Sequence, residues 1–295
     1  MASRESPAVA RRRVRLALRR AREARELTQQ QVADALEWSL SKINRIESGD
    51  VAISNTDLRA MLELFEVTDD DMITRLADDA RSSRKRGWWD EPRYREHLTS
   101  ATLQLLQFEG EATAIRVYQP TLVPGMLQTH GYAEAVLSFW QDELSDDARA
   151  VRLEVRLNRA REVLDGDDPP KYLVILDESV AHREVGGRKE TAELFRQLLV
   201  RMASPRTTVR VLPYSEGVMA QIGAFNILDL DDDENAVLYR ENLDTDDIVH
   251  APAEVRRHRK YFEVMWERSL DHEASVRLIQ ARLATLLTSL DRAGS

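Results

Sequence analysis

The chain has 295 residues, a length typical of about two domains, and its 43% of hydrophobic residues is enough to bury a core. It contains no cysteine, which excludes disulfides, Cys-ligated zinc and a Cys nucleophile. No apolar run approaches the ~20 residues that a membrane span needs, and the beginning of the chain lacks the apolar core of a signal peptide. We therefore expect a cytoplasmic protein.

The net charge of −9 is unevenly distributed along the chain. Residues 1–25 contain nine Arg and two Glu, a net charge of +7, whereas residues 91–295 contain 25 basic and 35 acidic residues, a net charge of −10. A surface that attracts phosphate is therefore expected near the N-terminus. Arg11, Arg12 and Arg13 fit a solvated helix start, an arm along a DNA backbone, or both.

The first predicted elements are a helix over residues 9–25 and a helix-turn-helix over 27–49, LTQQQVADALEWSLSKINRIESG. Thr28 is a suitable N-cap for the first motif helix, with Gln31 completing a capping box. Ser39 can cap the second, whose inner face carries Ile43 and Ile46. Gly49 is its expected stop.

The second motif helix carries the side chains that a recognition helix needs on its outward face. Arg can donate two hydrogen bonds to guanine, Asn can pair with adenine, Ser can bind several base edges, and Leu can contact a thymine methyl. The predicted base-reading residues are Leu40, Ser41, Asn44 and Arg45. The predicted phosphate contacts are Gln29, Ser39, Lys42, Arg11, Arg12 and Arg13. The alternative is an ordinary helical hairpin with a polar outer face.

This stretch resembles the lambda-repressor/Cro-like (XRE) class, whose usual wording is close to "LTQ..LA..LG.S.S.ISRIE.G". The resemblance implies a DNA-binding domain and double-stranded DNA as a partner. The sequence departs from the pattern at the turn, where Glu37 replaces the usual Gly. A non-Gly residue with a positive φ costs about 1–2 kcal/mol, so we expect an altered or slightly strained turn.

A fourth helix from Ser54 or Asn55 and a fifth after the acidic residues 69–71 complete a predicted domain over residues 1–80. Residues 81–98, RSSRKRGWWDEPRYREHL, are a predicted linker because their composition shifts from basic to Gly-Trp-Trp and then Pro. In this linker, Trp88 and Trp89 suit an anchor against a domain or a ligand-stacking pair.

Residues 99–295 form the second predicted domain, and the overall fold class is mainly α with a mixed α+β C-terminal domain. The apolar run from Leu103 to Ile115 predicts a helix that ends near residues 118–120. A strand–helix–strand unit and a hairpin then predict a small mixed sheet flanked by helices. The predicted strands are 172–176, 208–212, 223–230 and 236–240, with an acidic turn at 231–235. The remaining predicted helices are 129–137, 145–164, 191–202, 252–268 and 273–290.

The last helix has the apolar spacing of a coiled-coil seam. This seam consists of Val276, Ile279, Leu283, Leu286 and Leu290. Two heptads are short, so the seam suits packing on its own domain or a dimer contact.

No sequence motif points to an enzyme or a cofactor. Gly186 and Gly187 suit a bend between strand and helix better than a phosphate loop. Glu178 and His182 are the one local pair that resembles a metal site, and they lack further ligands. We therefore expect no catalytic residue, cofactor or metal.

The second half also resembles a known domain through LLQFEGEATAIRVYQPTLVPGMLQTHGYAEAVL, LDESVAHREVGGRKE, VRVLPYSEG and GAFNILDL. These stretches resemble the domain of unknown function found behind XRE motifs in actinobacterial regulators, whose families are described as antitoxin-like. The resemblance implies a small acidic protein, encoded nearby, as a partner. It supplies no catalytic residues.

Together these features predict a sequence-specific transcriptional regulator that we expect to act as a repressor on a palindromic operator, as a homodimer. Its C-terminal domain would respond to a protein partner or a small ligand, and the DNA-bound protein would be nucleoid-associated. Two alternatives stay open. One is an antitoxin-like interaction protein with DNA binding as autoregulation, and the other is a ligand-sensing or enzymatic C-terminal domain.

Overall fold

A computed structural model describes residues 7–48, 51–84, 87–166, 168–230, 236–241 and 246–293. The chain divides into two compact units, Met1–Asp90 and Glu91–Ser295. The predicted stop at Gly49 and the predicted acidic turn at 231–235 lie outside the described residues.

The N-terminal unit contains five helices, as the sequence predicts. They are α1 (Pro7–Ala24), α2 (Gln29–Ala35), α3 (Leu40–Ser48), α4 (Asn55–Leu64) and α5 (Asp70–Ser82). Apolar side chains from all five helices form one core, to which Leu18, Val32, Ile43, Leu58 and Leu76 contribute. The predicted inner faces are therefore confirmed, because the core of a small helical domain is assembled from one apolar stripe per helix.

Side-chain caps fix where these helices begin. Thr28 accepts a hydrogen bond from the backbone N–H of Gln31 at 3.2 Å, and the Gln31 side chain accepts one from the Thr28 N–H at 2.8 Å. Ser39 accepts one from the N–H of Lys42 at 3.2 Å. Ser54 caps α4 in the same way. The predicted capping box and the Ser39 cap are thus confirmed.

The turn between α2 and α3 keeps the geometry for which glycine is usual. Glu37 has a φ of 54°, in the left-handed region. The N–H of Trp38 donates to the carbonyl of Ala33 at 2.9 Å, which closes the end of α2. The turn is therefore unaltered, and the strain predicted for a non-Gly residue falls on Glu37.

The C-terminal unit combines eight described α-helices with a six-stranded sheet. The helices are α6 (Pro92–Arg95), α7 (Ser100–Glu109), α8 (His130–Ser138), α9 (Asp146–Arg159), α10 (Glu178–His182), α11 (Arg188–Met202), α12 (Pro252–Arg268) and α13 (His272–Ala293). The strands are β1 (Ala114–Gln119), β2 (Lys171–Asp177), β3 (Thr207–Leu212), β4 (Phe225–Asp229), β5 (Val237–Glu241) and β6 (Asp246–Val249). A π turn, Ala160–Leu164, extends α9.

The strand order is β3-β2-β1-β4-β5-β6. The first three strands in this order are parallel, and the pairs β1–β4, β4–β5 and β5–β6 are antiparallel. The predicted mixed sheet and its hairpin are confirmed. One face packs against α12 through a core that includes Tyr118, Ile175, Leu238 and Phe262. Because side chains alternate along a strand, Tyr172 and Tyr239 lie on the opposite face.

Two strands were not predicted, and one predicted helix is too long. The helix that begins before Leu103 ends at Glu109, and the rest of the apolar run is β1 at the centre of the sheet. Strand β6 was missed because its sequence, DDIV, begins with two acidic residues.

The predicted coiled-coil seam is used inside the domain. Ile279 and Leu286 are buried in the unit itself, and the other three seam residues are half-buried. Helix α13 packs on α11 and runs beside β3, where the Ser275 hydroxyl accepts a hydrogen bond from the Val211 N–H at 3.0 Å. These contacts support packing on its own domain, and a dimer contact through the half-buried seam residues stays a prediction.

Candidate nucleic-acid interface

Helix α3 presents a polar face to solvent and an apolar face to the core. Ile43 and Ile46 are buried on the inner side. All four predicted base-reading residues, Leu40, Ser41, Asn44 and Arg45, are exposed on the outer side. Among the described residues Leu40 is one of the few exposed large apolar side chains, with 39% of its surface accessible. The four side chains therefore lie together where a recognition helix makes base contacts.

The predicted phosphate contacts around α3 already have partners within the unit. Lys42 Nζ lies 2.9 Å from Asp57 Oδ1 and 3.5 Å from the centre of the Trp38 ring. Ser39 is exposed, and its hydroxyl caps α3. An exposed ion pair contributes about 0.2–1 kcal/mol, so DNA phosphate can compete with Asp57 for Lys42.

A buried carboxylate links the three helices behind this face. Glu47, on α3, is 6% exposed and accepts hydrogen bonds from Arg22 Nε at 2.7 Å and Nη2 at 3.0 Å. Gln29 Nε2 donates to the same carboxylate at 2.8 Å. The hydrogen bond to Glu47 raises the pKa of Arg22. Gln29 is therefore held by a fixed ion pair, and its amide nitrogen faces Glu47 because a carboxylate only accepts.

Sequence reasoning did not find Glu47 and Arg22. Periodicity places Glu47 next to Ile46 on the inner side of α3, and a charge there signals a buried pair. The two residues are 25 positions apart, so nothing local identifies Arg22 as the partner.

An open groove of about 560 Å³ lies between these elements. It is lined by Arg19, Arg22, Gln29, Asn44 and Glu47. Arg19 is exposed and donates to Glu23 at 2.8 Å, one helical turn away. The groove is thus lined by the predicted base-reading residue Asn44 and the predicted phosphate contact Gln29. It is also lined by a further cation, Arg19, which the sequence did not identify.

Two of the three arginines at the start of α1, Arg11 and Arg13, contact the end of α5. Arg13 forms two hydrogen bonds with Asp79, at 3.0 and 2.6 Å, and Arg11 Nη2 donates to the Ser83 carbonyl at 3.0 Å. Arg12 is 3% exposed. The expectation that all three are solvated or lie along DNA is wrong for Arg12, because the folded unit buries it. For Arg11 and Arg13 a phosphate contact stays a prediction.

The other sequence candidates do not assemble into a site. His182 Nε2 lies 3.7 Å from Glu178 Oε1. Within the residues that the structure describes, no group of three possible metal ligands comes together. Gly186 and Gly187, with φ of 71° and 88°, form the bend between α10 and α11. The rings of Trp88 and Trp89 meet edge to face with centres 5.6 Å apart, so they contact each other rather than stacking in parallel.

The fold and the exposed face of α3 define a helix-turn-helix protein that binds DNA. Comparison with known families agrees: a helix-turn-helix domain matches residues 14–76. A domain of unknown function, DUF5753, matches residues 102–281, more than half of the chain, and the chain belongs to this family. No curated protein and no solved structure matches the chain. In the described part of the chain, no helix has the length and apolar character to cross a membrane.

Proposed function

We propose that the protein is a sequence-specific transcriptional regulator that represses from a palindromic operator. The observation that carries the proposal is the exposed quartet of α3, Leu40, Ser41, Asn44 and Arg45, on a helix whose other face is buried. A polar face that only needed solvation would not require an exposed Leu beside Asn and Arg. Base edges in the major groove offer a partner to each of the three.

A homodimer is the assembly that this proposal requires. One recognition helix covers a single half-site, and two-fold proteins contact half-sites about 34 Å apart on one side of the duplex. Residues 91–295 carry a net charge of −10 and are repelled by DNA. The C-terminal unit is therefore suited to control of the DNA-binding unit, through a protein partner or a small ligand, rather than to DNA contact.

The experiment that tests the proposal is a binding titration of the full chain. Labelled DNA from upstream of its own gene is compared with random DNA of equal length over a salt series. Loss of a bidentate contact to guanine costs about 1–3 kcal/mol, so Arg45→Ala should weaken operator binding roughly 5- to 150-fold. Binding to random DNA should change little, because phosphate contacts dominate it.

The matched control is Arg75→Ala, which removes an exposed arginine from α5 of the same unit. It lowers the charge equally and should leave the ratio of operator to random affinity unchanged. Gln29→Ala should weaken both kinds of DNA. An Arg45→Ala protein that loses operator and random DNA equally would refute base reading by Arg45. A wild-type protein without operator preference would refute the regulator.

The second candidate is an antitoxin-like interaction protein that binds a small acidic protein encoded nearby. Exposed large apolar side chains on the C-terminal unit favour it: Phe139, Val200, Tyr214 and Val218. Because that unit is itself acidic, such a contact would rest on apolar area rather than on charge. Copurification of the acidic protein with the full chain, lost when Val218 is changed to Asp, would support this candidate.

A further inference from the structure

Two arginines one turn apart on α9, Arg156 and Arg159, differ in their hydrogen-bond partners. Arg159 Nε and Nη2 bind the two oxygens of Glu109, at 2.7 and 2.5 Å. Glu109 is only 1% exposed, so this is a buried, bidentate ion pair. It brings no net charge into the interior of the C-terminal unit.

Arg156, one turn earlier, has a neutral partner instead. Its Nη1 donates to Gln128 Oε1 at 3.1 Å, and Gln128 is held in place by a hydrogen bond from its own Nε2 to the Val123 carbonyl at 2.7 Å. No carboxylate of the described residues comes within ion-pair distance of Arg156. A guanidinium has five N–H groups, and only one of the five donates to an acceptor in the described part of the unit.

The surroundings of Arg156 disfavour its charge. Burial lowers its pKa, and the nearby cations Arg159 and Arg152 act in the same direction, while the Glu241 carboxylate opposes them. A guanidinium does not lose its proton near neutral pH, so the charge persists in spite of this cost. A half-buried cation that has no carboxylate within ion-pair distance among the described residues is suited to an anion from outside the chain.

The side chains of Arg156 and Arg159 both lie beside Gly125. Gly125 belongs to the turn that precedes Gln128, and a Cβ at Gly125 would lie 3.6 Å from Arg159 Nη1 and 3.7 Å from Arg156 Cγ. Arg159 Nη1 is the nitrogen that Glu109 does not bind. Arg159 Nη1 and the methylene stem of Arg156 therefore border the same turn, and the Arg156 guanidinium lies at Gln128, which follows it.

We propose that Arg156, with Arg159 and Gln128 beside it, binds a small oxyanion that carries a carboxylate or a phosphate group. The planar fork of Arg156 can donate two parallel hydrogen bonds to such a group. Arg159 Nη1 can add a third. The site is built from residues of the C-terminal unit alone and would let that unit respond to a small anion.

The test is thermal unfolding of the full chain in inorganic phosphate and, separately, in citrate, each against NaCl at equal ionic strength. We expect a saturable rise in Tm, and the anion with the lower Kd identifies the preferred group. Arg156→Met should raise that Kd at least tenfold, because it removes charge-assisted hydrogen bonds. Arg161→Met, which changes an exposed arginine just beyond α9, should leave the Kd unchanged.

The variant also separates a binding role from a structural one. Without added anion, Arg156→Met should unfold at the same Tm as the wild type or higher, because it removes a partly desolvated charge. Arg156→Lys keeps the charge but loses the fork, and should bind the anion more weakly than the wild type. A wild-type Tm that does not respond to either anion, or an equal response in Arg156→Met or Arg156→Lys, would overturn the proposal.

Discussion

Glu37 allows the strain in the helix-turn-helix turn to be measured. Its φ of 54° costs a non-Gly residue about 1–2 kcal/mol, and glycine adopts this region freely. Glycine also loses more backbone entropy on folding, which cancels about 0.4–1 kcal/mol of the gain from relieving the strain. The Glu37 side chain is exposed, and no described residue forms a hydrogen bond with it. Glu37→Gly should therefore stabilise the N-terminal unit by about 0.5–1 kcal/mol.

The assay is calorimetric unfolding of the full chain. For a unit of this size, 1 kcal/mol shifts Tm by about 4–8 °C, so the change is readily resolved. Glu37→Ala is the control, because it removes the carboxylate and keeps the Cβ that causes the strain. If Glu37→Ala stabilised the unit as much as Glu37→Gly, the gain would come from charge and the strain argument would be refuted.

Two other glutamates of the N-terminal unit allow the strain at a positive φ to be compared between positions of the same unit. Glu26 and Glu66 also have positive φ, 54° and 55°, at the ends of α1 and α4. Both side chains are exposed. Both carboxylate oxygens of Glu66 accept hydrogen bonds from Arg25, at 2.6 and 2.7 Å, whereas no described residue forms a hydrogen bond with the Glu26 side chain. Glu26→Gly should therefore match the gain at Glu37, and Glu66→Gly should gain less.

Two further predictions concern buried polar groups. Glu47→Ala should destabilise the N-terminal unit by about 3 kcal/mol in urea unfolding, because it leaves Arg22 buried without its carboxylate. Joint replacement by Arg22→Met and Glu47→Leu should recover most of the loss, and failure to do so would contradict this reasoning. Burial raises the pKa of Tyr118 to about 12, and its hydroxyl is sealed from solvent without a hydrogen-bond partner among the described residues. The phenol must stay protonated in the folded state, so its contribution to stability is complete below the unfolded pKa of about 10 and is lost as the pH rises towards 12. Tyr118→Phe should therefore be neutral or stabilising at pH 7. Between pH 10 and 12 it should lose less stability than the wild type. A loss at pH 7 in circular-dichroism melts would show that the hydroxyl has a partner.

Periodicity and capping residues identified the DNA-binding unit because its helices are amphipathic and begin at local signals. The Thr28 and Ser39 caps involve residues three positions apart, so they can be seen in the sequence alone. The same reasoning failed at β1. Five of its six residues are buried, and the strand follows α7 after only four residues. Gly110, the C-cap of α7, is the one local stop signal, and the apolar run on both sides of it predicts a single helix. An apolar run of this kind fits a helix or a central strand equally well.

Buried charged residues could not be predicted from the sequence either. The pairs Arg22–Glu47 and Arg159–Glu109 join positions 25 and 50 residues apart, and a pattern of hydrophobic and polar positions treats every charge as outward-facing. The tertiary fold decides which charges it encloses. For this reason the recognition face could be predicted from the sequence, while the contacts that hold Gln29 behind it could not.

Glu47 couples the stability of the unit to the geometry of its DNA-binding face. It accepts hydrogen bonds from both Arg22 and Gln29, so one carboxylate holds α1, α2 and α3 together and fixes the Gln29 amide at the groove. With Nε2 facing Glu47, that nitrogen has one N–H left, which is the group a phosphate oxygen would accept. Replacing Glu47 therefore releases Gln29 as well as Arg22. In the paired Arg22→Met, Glu47→Leu variant, restored stability should come without restored affinity for DNA, because leucine cannot orient the amide.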